Sequence, residues 1–239
     1  MKNLCQPQKP QITTWLKRFI PKTSCILCRQ SSFTLVCQYC EHDTCFFHHD
    51  DGPRNLLLRP EIARHVRHAH YSTLIACGYY EWPLDSLITK LKFGQDLRCA
   101  KPLGQWLNNS ISNQLAINRP ELLLPVPLRP FGYWSRQFNQ AQLFAQSIAK
   151  ASQIDVFYGW AKRVGGQAQH QQNKVQRLIN LRNAFEVLRL PPVRSVAIVD
   201  DVVTTGCTAD VLAGLLRRQY PNLDIQVWAL AVTPPRRHR

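Results

Sequence analysis

The chain has 239 residues, 45% of them apolar, enough to bury the core of one large domain with or without a small module. Thirty basic against 15 acidic residues give a formal charge of +15, which favours polyanionic partners: nucleic acid, phosphorylated metabolites or an anionic membrane. No apolar run approaches the ~20 residues that span a bilayer, and the polar start MKNLCQPQKPQITTWLKRF lacks a signal-peptide core, so a cytoplasmic location is expected.

Residues 1–23 read as a polar lead-in with one apolar patch, Ile12 to Ile20, of short-helix length. Residues 24–50 hold five of the nine cysteines. A reducing compartment disfavours disulfides, so their grouping is read as metal chemistry. In "CILCRQSSFTLVCQYC", Cys25-x2-Cys28 and Cys37-x2-Cys40 form two knuckles that offer four thiolates to a tetrahedral Zn²⁺. Four thiolates leave no open position for water, so the predicted zinc is structural and supplies most of the folding energy of this segment. Cys45, His48 and His49 follow as spare ligands outside the predicted set. The module acts either as a clamp on the main domain or as a nucleic-acid contact. The second role would draw on Lys17, Arg18, Lys22, Arg29, Arg54, Arg59, Arg64 and Arg67.

From residue 70 to 233 short apolar runs alternate with amphipathic stretches, the pattern of an α/β domain with a mostly parallel sheet flanked by helices. "LDSLITKLKF" (84–93) puts Leu84, Leu87, Ile88 and Leu91 on one helical face. Lys90 and Lys92, on either side of Leu91, therefore point to different faces. "ELLLPVPL" (121–128) is a buried strand running into a proline-closed loop, and "NQAQLFAQSIAKAS" (139–152) is a helix. "SVAIVDD" is the next strand, followed by the helix "ADVLAGLLRRQY" (209–220) and the strand "DIQVWALAVT" (224–233). His65, His68 and His70 in "RHVRHAH" lack a partner motif and read as surface residues. Cys5, Cys77 and Cys99 read as isolated thiols, and 234–239 as a basic tail suited to polyanions.

"VAIVDDVVTTGCT" (196–208) carries the strongest chemical signal. A turn of small hydroxyls at a helix start points backbone N–H groups outward at the positive end of the helix dipole, a ready anion site. Thr204, Thr205 and Thr208 add hydroxyl donors, and Gly206 lets the backbone approach a phosphate closely. Asp200 and Asp201 would repel that phosphate, but they suit sugar hydroxyls, with a hard cation such as Mg²⁺ shared with the ligand. Phosphate, diol and metal together describe a ribose 5-phosphate group.

The stretch closely resembles the phosphoribosyl pyrophosphate (PRPP) motif of type I phosphoribosyltransferases. In those proteins the two acids contact ribose hydroxyls and the threonine loop, here Thr204 to Thr208 with Gly206 and Cys207, holds the 5-phosphate. Cys207 stands where alanine or serine is common. "LITKLKF", "LLLPVPL" followed by "SRQFNQAQLFA", and "QRLINLRNAFEV" narrow the resemblance to the ComF/GntX group, over about residues 24 to 233 with the zinc module in front. The resemblance implies a type I phosphoribosyltransferase-like fold with a zinc-ribbon-like module, and Arg136 and Lys92 at the pyrophosphate. Gln137 replaces the group's usual glycine. In "KRVGGQAQHQQ" only Arg163, Gln169 and His170 match the expected acceptor-facing pattern.

Two functions stay open. One is a PRPP-binding protein of DNA uptake or natural competence that also grips single-stranded DNA. The implied partner there is the DNA-uptake machinery at the inner membrane, and "RPFGYWSRQF" (129–138) interleaves arginines with aromatics able to stack bases. The other is an active transferase moving ribose 5-phosphate from PRPP to a small-molecule acceptor. There Asp200 and Asp201 steady an oxocarbenium-like ribose, while Arg136 and Lys92 take the charge developing on pyrophosphate.

Overall fold

The computed structural model describes residues 23–47, 52–128, 138–164 and 183–235. Around the cysteine knuckles lie an antiparallel pair, β1 (Thr23–Ser24) and β2 (Ser31–Ser32), and a short helix, α1 (Gln38–His42). A 3-10 turn (Leu56–Leu58), a one-turn helix, α2 (Pro60–Ala63), and the segment after it bury Leu56, Ile62 and Val66 in turn in the main core. The first strand of the large sheet, β3 (Thr73–Tyr79), leads to α3 (Leu84–Lys92). The four apolar residues of α3 at i, i+3, i+4 and i+7 are all buried, as their spacing requires. After α4 (Ala100–Ile117) comes β4 (Leu122–Pro125), which runs on into the Pro127 loop. Asn139 starts α5 (Gln140–Ser152), its side chain accepting from Ala141 N at 3.0 Å. The chain continues through β5 (Asp155–Val156), the antiparallel pair β6 (Ala161–Arg163) and β7 (Phe185–Val187), β8 (Ser195–Val203), α6 (Cys207–Gln219) and β9 (Asp224–Val232).

The sheet order is β3-β9-β8-β4-β5, and every neighbouring pair is parallel. Helices cover both faces, so central strands are apolar on both sides. In β8, Val196 and Ile198 face the α2 and α6 side, while Ala197 and Val199 face α3, α4 and α5. From β4 the chain moves outward to β5, whereas from β8 it moves the opposite way to β9. The crevice at the carboxyl ends of β4 and β8 is thus the switch point, where open α/β sheets take their ligands.

The cysteine segment closes the β3 edge. Phe46 makes an antiparallel bridge to Gly78, and Phe47 N donates to Cys77 O at 2.8 Å. Gly78 is required there, because a Cβ would stand 2.5 Å from Cys45 O. Phe46 meets the Trp106 ring edge-on at 5.1 Å, and Trp106 Nε1 donates to Glu41 at 2.8 Å. An otherwise open strand edge is thereby protected from foreign pairing.

Candidate functional site

Asp200 and Asp201 fall where β8 leaves the core. Asp201 N donates to Asp200 Oδ1 at 2.8 Å and Val202 N to Asp201 Oδ1 at 2.7 Å, which fixes both carboxylates. The last residue of α3 meets them: Lys92 Nζ lies 2.6 Å from Asp201 Oδ2. The α3 packing face thus decides between the two lysines, since Leu91 points into the core and Lys92 toward the acids. Burial first, and then the adjacent Asp201 charge, push the Asp200 carboxyl up to about 8, against the Asp201 N–H and Lys92, which favour its charged form.

Beyond the acids, Thr204 and Thr205 are exposed and Gly206 opens α6 in the left-handed conformation, φ 69°, without a side-chain cap. The first-turn N–H groups of α6 therefore keep no intrahelical partner and lie at the positive end of its dipole. Gly206 is needed for its φ and for space: a Cβ would stand 2.6 Å from Arg67 O and from Val66 Cγ1. The segment that presses on it is the histidine-rich one. Arg67 N donates to Thr205 O at 2.9 Å. Arg67 Nε donates to Asp210 Oδ2 at 2.6 Å, while His70 N and Nδ1 both lie 3.0 Å from Asp210 Oδ1. Asp210 is only 1% exposed. The sequence reading of His70 as a surface residue is therefore corrected: a buried acid across the fold holds it. His65 is exposed.

A cavity of about 380 Å³ occupies the switch point. Its lining joins Lys92, Asp200, Asp201 and Thr208 to the loop after β4 (Val126 to Leu128), the start of α5 and Arg163. Of the turn, Thr208 reaches the cavity; Thr204, Thr205, Gly206 and half-buried Cys207 form the chain leading to it. Arg136, Gln137, Gln169 and His170 lie outside the described residues. Sequence reasoning gave no separate role to Asn139 and Gln140, which also line the cavity. Asn139 ties the loop after β4 to α5, donating to Val126 O at 2.9 Å while its oxygen caps the helix. An Asn directly before a helical apolar pattern was the available signal.

The four knuckle cysteines converge. All four sulfurs lie within 4.8 Å of one another, with Cys25 to Cys40 at 3.9 Å and Cys28 to Cys37 at 3.6 Å. Tetrahedral Zn–S bonds of about 2.3 Å imply S···S edges of about 3.8 Å, so the set fits a metal ion such as zinc. Burial raises the Cys25 thiol, but backbone N–H groups, that of Cys37 first, draw it down to about 6; Cys37 N donates to its sulfur at 3.3 Å. Cys45 is exposed and outside the cluster, and His48 and His49 are not among the described residues. Among the described residues this is the one group of three or more metal-ligating side chains brought together.

Several arginines that the sequence offered for nucleic acid are used internally. Arg59 is 7% exposed, lies over the Phe47 ring at 4.9 Å and donates from Nε to Pro53 O. Arg54 donates to Phe47 O, and Arg67 holds Asp210. Arg29 and Arg64 remain exposed.

Among the described residues no helix is long and apolar enough to cross a membrane. No family model matches the chain. Comparison with known proteins does find relatives. The chain is 34% identical over 170 residues, 67% of its length and 73% of the relative's, to Competence protein F of Haemophilus influenzae. It is 33% identical over 168 residues, again covering 73% of the relative, to the DNA utilization protein YhgH of Shigella flexneri and of Escherichia coli K12. On that identity and coverage, the chain belongs to the ComF family, that of Competence protein F and the DNA utilization protein YhgH.

Proposed function

We propose that this protein binds PRPP with Mg²⁺ at the switch-point cavity, binds single-stranded DNA, and acts in DNA uptake or natural competence. The observation that carries the first part is the convergence of Lys92, Asp200, Asp201 and Thr208 on one cavity. In this reading the α6 turn, Thr204 to Thr208, holds the 5-phosphate through backbone N–H and hydroxyl donors. Asp200 and Asp201 accept from the ribose hydroxyls. Lys92, which pairs with Asp201 at 2.6 Å, turns to the pyrophosphate and releases Asp201 to the sugar. Arg136 is the second cation proposed for the pyrophosphate. The acid pair alone offers too few oxygens to cage a hard cation, so oxygens of the pyrophosphate would have to complete the coordination of Mg²⁺ beside Asp200 and Asp201.

The names of the relatives, competence and DNA utilization, support the role in DNA uptake. The +15 charge supports a polyanionic partner. We further propose that Cys25, Cys28, Cys37 and Cys40 hold a structural Zn²⁺, which would fasten the segment that closes the β3 edge.

The test is a pair of titrations on one preparation: PRPP with Mg²⁺, and single-stranded DNA. Asp200→Ala with Asp201→Ala should abolish PRPP binding and keep the fold; unchanged affinity would remove the acids from the site. DNA affinity should fall with salt at a log–log slope of roughly −0.7 per phosphate neutralised, and Trp134→Ala should cost about 1–3 kcal/mol if a base stacks there. An absence of single-strand binding at low salt ends the DNA part. A second reading, phosphoribosyl transfer to a small acceptor, is favoured by Arg163, which comes from the acceptor-facing segment and lines the same cavity. Release of pyrophosphate from PRPP only in the presence of a candidate acceptor would establish it.

A further inference from the structure

The phosphate-holding turn is not self-supporting. Its middle residue, Gly206, is in a left-handed conformation, and α6 lacks a side-chain cap. Its shape is set from outside the motif by residues 66–71, more than 130 positions earlier in the chain. The contacts form a closed circuit. Arg67 N holds the carbonyl of Thr205, and the Val66 side chain together with the Arg67 backbone fills the space over Gly206. The Arg67 side chain then returns to Asp210, in the first turn of the helix that the turn begins. Tyr71 Oη donates to Arg67 O at 2.9 Å, which fixes the middle of the strap. His70 binds the other Asp210 oxygen, and its ring lies over Gly214, where an added Cβ would come within 3.2 Å.

We infer that Asp210 is a positioning residue for the anion turn, acting through Arg67 and His70, and that residues 66–71 are part of the phosphate site although no phosphate-binding motif runs through them. The physical reason is the buried carboxylate. At 1% exposure the Asp210 carboxylate oxygens are out of reach of bulk water and must be met by protein donors, and the donors they meet are those of the strap that contacts Thr205 and Gly206. The turn is thereby held in its binding shape before a ligand arrives, and a ligand need not supply the ordering cost. This inference rests on the turn being the phosphate site proposed above.

The test compares wild type with Asp210→Asn, Arg67→Ala and Arg67→Lys. Asp210→Asn keeps Oδ1 for His70 but sets an amide donor against Arg67 Nε, so it breaks one arm only. Three measurements are made: calorimetric binding of ribose 5-phosphate, amide hydrogen exchange at 204–209 without ligand, and the urea midpoint. Asp210→Asn and Arg67→Ala should each weaken ribose 5-phosphate by about tenfold, the low end for loss of a hydrogen bond between charged groups, and speed exchange across the turn. The double variant should be no worse than either single, because both remove the same bond. Arg67→Lys, which keeps a cation for Asp210, should recover most of the affinity. Arg67 is 38% exposed, so Arg67→Ala decides the matter should Asp210→Asn lose its cooperative urea transition. Unchanged affinity and exchange in Arg67→Ala overturn the inference. A loss that tracks the urea midpoint in all variants, Arg67→Lys included, also overturns it. A wild type that binds neither ribose 5-phosphate nor PRPP instead refutes the phosphate site itself.

Discussion

Replacing Asp200 by Asn should stabilise the ligand-free protein, by an amount that grows with pH. Burial and the Asp201 charge raise the Asp200 carboxyl from 3.8 to about 8 in the fold, while an unfolded chain returns it to the ordinary range. Between those values the folded protein holds a proton that the unfolded chain releases. The contribution of the group is therefore full below about pH 4 and is lost as pH rises through about 8. Every tenfold difference in proton affinity between the folded and unfolded chain is worth about 1.4 kcal/mol. The full span would be worth about 6 kcal/mol, and because Asp200 is only half-buried, water screens the penalty to on the order of 2–3 kcal/mol. Asn keeps the oxygen that accepts from Asp201 N and removes the charge. Thermal unfolding from pH 4.5 to 9, without PRPP or Mg²⁺, should show a Tm advantage for Asp200→Asn that is smallest at the acid end. Above pH 8 it should level off at roughly 5–10 °C, a few degrees per kcal/mol for a chain of this size. An advantage independent of pH, or a variant less stable than wild type at pH 8.5, would refute the reasoning. The same substitution should weaken PRPP, a trade of function against stability common at binding sites.

Metal analysis of freshly purified protein should find about one Zn²⁺ per chain, and Cys37→Ser should lose it and aggregate, since Cys37 is both a proposed ligand and the cap of α1. Metal-free yet folded protein would contradict this. Gly206→Ala should cost about 1–3 kcal/mol in urea unfolding for its positive φ, more if the Val66–Arg67 strap is displaced, and should lower ribose 5-phosphate affinity. Lys92→Met should weaken PRPP by about ten- to a hundredfold, as for loss of a hydrogen bond to a charged group, and ribose 5-phosphate much less. Equal losses for both ligands would place Lys92 away from the pyrophosphate.

Local pattern made part of this molecule readable. The strand through Val196 to Val199, the acids that end it and the helix after Gly206 sit in consecutive residues, so apolar periodicity and turn chemistry were enough. The helix at 84–92 was equally clear, yet spacing alone only separated Lys90 from Lys92; the choice between them depended on β8, far away in sequence. The brace on the turn was opaque for the same reason. Arg67 and Asp210 are 143 residues apart, and "RHVRHAH" has no periodicity that demands a partner. One clue was present: Asp210 and Gly214 lie one helical turn apart on the same face, an acid beside a gap where another chain segment can approach. The internal use of Arg54 and Arg59 was also hidden, because net charge counts residues without regard to where their guanidiniums lie.

The closure of the β3 edge by Phe46 and Phe47 has a consequence for how the chain is made. In the finished sheet β3 pairs with β9, the last of the described strands to leave the ribosome. Through most of synthesis β3 is thus without its sheet partner, a seven-residue strand of almost wholly apolar composition in a crowded cell. Its other edge is served by residues made before it, and with the proposed zinc on the four thiolates the cysteine knuckles can close well before β9 exists, Trp106 adding its contacts to Glu41 and Phe46 in between. Zinc shortage would accordingly harm newborn chains before it harmed finished ones, and the damage would show as co-translational aggregates while protein already folded stayed intact.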